Sequence, residues 1–146
     1  MEAVMSTKEI QLSRKITNQL LHLAQISPER EVCGLIGSSN GIASTCYPVE
    51  NVAEQAKTRF QLDAKQQINA ISTMRERNEE LFAIYHSHPT APAIPSATDI
   101  KLATYPDAVF LIISLNTKGV LEIRGFKINK ESIEPVEELI LSLSTE

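Results

Sequence analysis

Cysteine is scarce in this sequence, lysine and arginine never form a block, and no long apolar run occurs. Each shortage excludes a class of protein. Two cysteines, Cys33 and Cys46, allow one disulfide at most, so the fold is not expected to rest on a disulfide framework. The first residues, Met1-Glu2-Ala3-Val4-Met5-Ser6, show no basic stretch leading into an apolar one, and no secretory signal is read there. A cytoplasmic setting with both thiols reduced follows as the expectation. The longest apolar stretch, Ala108 to Ser114 with its neighbours, is far too short to span a bilayer, so no membrane partner is expected. A net charge of -4 without a basic cluster argues against a non-specific nucleic-acid binder, whose affinity would come from neutralising phosphates.

What is present is ordinary for a globular protein. At 146 residues, 42% hydrophobic and 22% charged, the chain is long enough for one domain to bury most of its apolar surface without staples. No repeat, linker or second domain is visible, and residues 1–146 are read as a single domain.

After a short opening segment, Ser13 can cap a helix running to about Ser27, where Pro28 enforces a stop. Ile16, Leu20, Leu23 and Ala24 recur at helical spacing and would face a core. Val32 to Gly37 reads as a strand, Ser38-Ser39-Asn40-Gly41 as a hairpin turn, and Ile42 to Val49 as its partner. The polar stretch Glu50 to Arg59 reads as a loop and Phe60 to Leu62 as a short extended piece. Asp63 then caps a helix whose buried stripe is marked by Ile68, Ile71 and Met74.

Leu81 to His86 is an apolar strand, expected to be central. Thr90 to Pro95 contains two prolines and breaks regular structure. A short helix from Ala97 to Thr104 follows, then a buried strand from Asp107 to Leu115. Asn116-Thr117-Lys118-Gly119 turns the chain into Val120 to Ile128. Leu121 and Ile123 share one phase of that strand, Phe126 and Ile128 the other, which predicts a bulge at Gly125. Pro135 to Glu146 alternates ambiguously. This order suits an α/β layer protein with a curved, mixed sheet better than a doubly wound parallel one.

The most informative stretch is His86-Ser87-His88-Pro89. With Ser96, Asp99 and the upstream Glu31 it forms the pattern Glu…His-x-His-x7-Ser-x-x-Asp. Two imidazoles and a carboxylate are the ligand set of a catalytic zinc site, with the fourth position left for water. Residues i and i+2 of a strand point the same way, so His86 and His88 can converge on one ion. The Pro-rich loop returns the chain so that Asp99, in the first turn of the next helix, can supply the third ligand. Ser96-x-x-Asp99 also matches a helix N-cap pattern. The two roles are compatible, because a carboxylate in the first turn gains from the helix dipole.

Alone, Glu31 would be a solvated charge beside Glu29 and Arg30. Beside zinc it becomes the candidate base that takes a proton from metal-activated water and returns it to the leaving amine. Cys33 and Cys46 read as small buried hydrophobes, and His22 as structural. Other zinc signatures are missing: there is no His-Glu-x-x-His and no Cys-x-x-Cys.

With these residues the sequence resembles the JAMM (MPN-plus) metalloprotease family, and more narrowly its compact bacterial members. The resemblance extends into Glu31-Val32-Cys33-Gly34-Leu35, Tyr85-His86-Ser87-His88-Pro89 and Pro95-Ser96-Ala97-Thr98-Asp99-Ile100, and covers the chain from about Ser13 to Phe126. It implies a single-domain, cytidine-deaminase-like α/β fold with a curved mixed sheet flanked by helices. It implies one zinc held by His86, His88 and Asp99, with Glu31 as general base and Ser96 stabilising the oxyanion. It implies hydrolysis of a peptide or isopeptide bond after the C-terminal Gly-Gly of a ubiquitin-like protein. For bacterial relatives that protein is a small sulfur carrier. An extended tail could pair with an exposed sheet edge, with Glu50 to Leu62 as one wall of its channel. Two rival readings stand beside this one: a non-catalytic scaffold of the same fold, and a zinc hydrolase of a small-molecule amide.

Overall fold

In the computed structural model, which describes residues 4–116 and 121–144, a single curved sheet is flanked by helices. The strands among the described residues are β1 (Val4–Ser13), β2 (Cys33–Ser39), β3 (Ile42–Val49), β4 (Glu80–His88), β5 (Val109–Ser114), β6 (Glu122–Ile128) and β7 (Val136–Ser144). The helices are α1 (Arg14–Gln25), α2 (Ala64–Glu76) and α3 (Ala97–Leu102). The sheet order is β1-β7-β6-β5-β4-β2-β3. The β1/β7 and β4/β5 pairs are parallel and the other four antiparallel. The expected single-domain α/β fold with a curved mixed sheet is what the chain forms. None of its described helices is long and apolar enough to cross a membrane.

Each helix starts where its sequence says it should. Ser13 Oγ accepts from Ile16 N–H at 3.1 Å, and Asp63 Oδ2 accepts from Gln66 N–H at 2.9 Å. Both side chains thereby satisfy a donor that the helix start leaves unpaired. The β2–β3 turn places Asn40 at φ 53° and Gly41 at φ 78°, the left-handed pair that a two-residue hairpin demands.

The sheet is covered on both faces, which explains its two sets of apolar residues. On one face α1 lays Ile16, Leu20 and Ala24 against Ile36, Tyr85, Leu111, Ile113 and Leu139. The sheet curls around this helix until its two edge strands, β1 and β3, approach each other. On the other face Ala70 and Met74 of α2 pack on Leu35, Ile84, Phe110 and Ile128. Further along that face, Ala93 of the Pro-rich loop packs on Ile112, Phe126 and Val136.

Four details depart from the sequence reading. The opening segment and the ambiguous C-terminal stretch are both strands, paired with each other in parallel, for example Ile10 opposite Leu141. Gly125 makes no bulge: it pairs with Leu111 on one side and Leu139 on the other in unbroken register. A Cβ there would come within 2.9 Å of Leu141 Cδ2 and 3.3 Å of Ile10 Cδ1, so this glycine makes room for neighbouring side chains. The apparent change of phase reflects burial on both faces, since Ile123 packs on the α1 side and Phe126 and Ile128 on the other. The register does shift at Gly37, where a Cβ would meet the Glu79 carboxylate at 2.8 Å.

Ile68 is 66% exposed and does not belong to the buried stripe of α2, which is Ala70, Ile71 and Met74. At about 100° per residue it lies roughly a third of a turn off that stripe. The fourth departure is at the edges of elements: α1 ends at Gln25, α3 at Leu102, and β6 begins at Glu122. Of the predicted turn at 116–119, residues 117–119 lie outside the described residues.

Candidate metal centre

The C-terminal end of β4 delivers two imidazoles to the same face. His86 pairs across the ladder with Cys33 of β2 and Ile112 of β5, and His88 pairs with Ser114. Both are buried, at 1% and 2% exposure. Between them Ser87 points to the opposite side, where its Oγ accepts from Val32 N–H at 2.8 Å while its own N–H donates to Val32 O at 3.0 Å.

The chain then leaves the sheet through the Pro-rich loop and starts α3 at Ser96. The loop is pinned by Ser114 Oγ donating to Ala91 O at 2.8 Å and by His88 Nδ1 donating to Pro92 O at 2.7 Å. A capping box closes the start of α3: Ser96 Oγ accepts from Asp99 N–H at 3.0 Å, and Asp99 Oδ2 accepts from Ser96 N–H at 2.9 Å. The Ser-x-x-Asp spacing therefore caps the helix and also fixes the Asp99 carboxylate.

That same Oδ2 lies 3.1 Å from His86 Nε2 and 3.1 Å from His88 Nε2, and the two Nε2 atoms are 3.1 Å apart. Because the Pro92 carbonyl can only accept, His88 carries a proton on Nδ1, and its neutral ring presents a lone pair at Nε2. A carboxylate oxygen and an imidazole lone pair held this close suit a cation between them. Tetrahedral zinc, about 2.0–2.1 Å from each of its ligands, would set them roughly 3.3 Å apart, so the triangle fits a small divalent cation.

Glu31 completes the group. It is 3% exposed, its Oε1 has no hydrogen-bond partner, and the four residues offer ligand atoms all within 4.8 Å of one another. Burial pushes the Glu31 carboxyl up to about 8, with His88 opposing and the Asp99 charge adding to the rise. Burial also works to raise Asp99, but His86, His88 and the Ser96 N–H outweigh it and hold the carboxyl well below its ordinary range. Burial lowers His86. It works the same way on His88, where the Asp99 and Pro92 hydrogen bonds reverse the outcome and the imidazole is raised.

The structure thus brings together Glu31, His86, His88 and Asp99, with Ser96 one helical turn from Asp99. It leaves the other sequence candidates outside: His22 is exposed on α1, and Cys33 and Cys46 are free thiols apart from the four-residue group. Cys33 Sγ faces Val49 O at 3.4 Å, and burial pushes its thiol up to about 12.

Three contributors were not read from the sequence. Phe60 stacks on His86 with ring centroids 4.4 Å apart. Ser87 grips Val32, and Asn51 grips the Glu31 backbone by donating from Nδ2 to Glu31 O at 3.0 Å. For Ser87 a signal existed, since the residue between two same-face histidines must face away. For Asn51 and Phe60 there was none, because they lie in an aperiodic loop. That loop forms one wall of a groove of about 950 Å³ that reaches Asp99, lined among others by Val52, Arg59, Phe60, Leu62 and Leu102.

Over residues 13–127 the chain matches the family described as prokaryotic homologs of the JAB domain. It belongs to that family, which holds the JAMM-type, metal-dependent peptidases. It is 32% identical over 125 residues to the CysO-cysteine peptidase of Mycobacterium tuberculosis, covering 83% of this chain and 85% of that protein. It is 35% identical over 89 residues to the desampylase of Haloferax volcanii, covering 60% of this chain and 64% of that one, just under two thirds of its length. Among solved structures, a protein of Desulfitobacterium hafniense superposes with a TM-score of 0.81 at 31% identity, covering 94% of both chains.

Proposed function

We propose that the protein is a zinc metallopeptidase that hydrolyses the peptide or isopeptide bond after the C-terminal Gly-Gly of a ubiquitin-like sulfur-carrier protein. The observation that carries this reading is the 3.1 Å triangle of His86 Nε2, His88 Nε2 and Asp99 Oδ2 beside the buried Glu31, whose Oε1 has no hydrogen-bond partner. The relatives support the substrate class, since their names refer to a CysO conjugate in one case and to desampylation in the other.

In this reading His86, His88 and Asp99 hold one zinc ion per chain. When bound, zinc supplies Lewis acidity that polarises the scissile carbonyl and makes water acidic enough to attack near neutral pH. Glu31 accepts the proton from that water on its carboxylate and delivers it to the departing amine. Its burial favours the protonated acid in the metal-free state; a neighbouring cation favours the carboxylate. Ser96 Oγ already accepts from Asp99 N–H, so its own hydrogen remains to donate to the developing oxyanion. The groove beside Asp99 receives the extended tail. Glycines suit the narrow approach, having no side chain to exclude.

We read residues 1–146 as one catalytic domain, because β1 and β7 join distant parts of the chain in a single sheet. The free state of Cys33 and Cys46 suits a reducing cytoplasm.

The test is intact-mass analysis of a sulfur-carrier protein bearing a C-terminal extension after Gly-Gly, incubated with zinc-loaded wild type and with Glu31→Gln. Removal of the extension by wild type alone is expected. An intact extension after incubation with folded, zinc-loaded protein would overturn the proposed substrate and favour hydrolysis of a small amide.

A further inference from the structure

Glu31 lies just ahead of β2, outside every sheet ladder. Its place is set by contacts from other segments. Its N–H donates to Ala56 O at 2.7 Å, and its carbonyl accepts from Asn51 Nδ2 at 3.0 Å. Asn51 is 6% exposed and uses both ends of its amide. Nδ2 also donates to Arg59 O at 3.1 Å, and Oδ1 accepts from Ala53 N–H and Gln61 N–H, each at 3.0 Å. One side chain therefore fastens both arms of the 52–61 loop, and the same side chain fastens Glu31. That loop carries the groove wall and the ring of Phe60 against His86.

We propose that Asn51 is a positioning residue for Glu31, locking the carboxylate that carries the proton to the wall of the substrate groove. The inference rests on the reading of Glu31 as the base. The two halves of the amide differ in reach: Nδ2 holds Glu31 O along with Arg59 O and Ala56 O, and Oδ1 holds only loop amides. The Oδ1 half closes the loop, assisted by the Val52 N–H to Gln61 O bond at 2.9 Å. The Nδ2 half alone reaches Glu31. A lost donor there releases the Glu31 carbonyl together with Arg59 O and Ala56 O, while the loop keeps its bonds to Oδ1 and between Val52 and Gln61, and small displacements of a catalytic group are costly in rate.

Asn51→Asp keeps the acceptors, removes both donors and sets an oxygen against the carbonyls of Glu31 and Arg59. It is to be compared with wild type, Glu31→Gln and the double variant, as full-length zinc-loaded chains on the extended carrier. Metal content is expected to be unchanged, and the amides of Ala53 and Gln61 to stay protected from hydrogen exchange. The Glu31 amide should exchange faster by at least about tenfold, and kcat should fall by at least about tenfold with KM within about twofold of wild type. In the Glu31→Gln background Asn51→Asp should cost nothing further, because it acts through Glu31.

A kcat equal to wild type, or the same fractional loss repeated without the Glu31 carboxylate, overturns the assignment. Should Asn51→Asp fail to fold, Asn51→Ser, whose hydroxyl is too short to reach Glu31 O, carries the same expectations for kcat, KM and the Glu31 amide, without those for the Ala53 and Gln61 amides, and the same overturning results. If Glu31→Gln itself turns over at the wild-type rate, the functional reading and this inference fall together. If Glu31→Gln is inactive and Asn51→Asp is not, only the positioning role falls.

Discussion

His86, His88 and Asp99 are placed by regular backbone, whereas Glu31 is placed by an irregular loop. The histidines occupy alternate positions of a strand paired on both sides, and Asp99 is the third residue of a capped helix. Their geometry follows from periodicity and a cap. Glu31 has neither; Ala56, Asn51 and, through Val32, Ser87 hold it at three points. The ligand side should therefore tolerate change around it and fail only when a donor is removed. The base side should be sensitive to residues that never touch substrate.

The largest expected effect tests the ligand side. His88→Ala should lose the metal and with it all turnover, read by metal analysis of the purified protein; full stoichiometry in that variant would remove His88 from the ligand set. Next comes the base side. Glu31→Gln should retain metal yet lose roughly 10²–10⁴-fold in kcat, and wild-type turnover would show that the proton travels elsewhere.

Ser96→Ala removes a cap and, in the proposed mechanism, a donor to the reacting oxygen. Steady-state kinetics should show a loss of about 10²–10³-fold, mostly in kcat. Thermal melting should show about 1 kcal/mol from the lost cap, and an unchanged kcat would leave Ser96 with the capping role alone. The smallest effect lies two residues past Glu31, where regular structure begins. With its thiol raised to about 12 and only 2% exposed, Cys33 should resist alkylation in the native protein and react only after unfolding. Rapid native labelling at Cys33, located by peptide mass, would mean that this end of β2 opens readily.

Legibility followed the same division. The α1 and α2 caps, the Asn40-Gly41 hairpin and the clustering of Glu31, His86, His88 and Asp99 could all be read, because each depends on spacing within a few residues or on chemistry that few other patterns share. The β1/β7 pair could not be read, since it joins residues more than a hundred positions apart and neither strand has a sharp alternation. Ile68 and Gly125 misled for a related reason. An isoleucine at helical spacing does not say where the buried stripe is centred, and a phase change in a strand looks like a bulge until both faces are known to be covered. Phe60 and Asn51 carried no signal, as their partners come from other segments.

By itself the sequence singled out the residues that gather, Glu31, His86, His88 and Asp99, the strand and cap that carry the last three, and the family to which the chain belongs. The strand and the cap are local, fixed by backbone and hydrogen-bond geometry over a few residues, and the residue set is marked by chemistry that few other patterns share. Only the tertiary structure decided how Glu31 reaches the histidines, which loop walls the groove, and how the curved sheet joins β1 to β7. These depend on contacts between distant segments, whose energies come from burial and from hydrogen bonds satisfied across the fold.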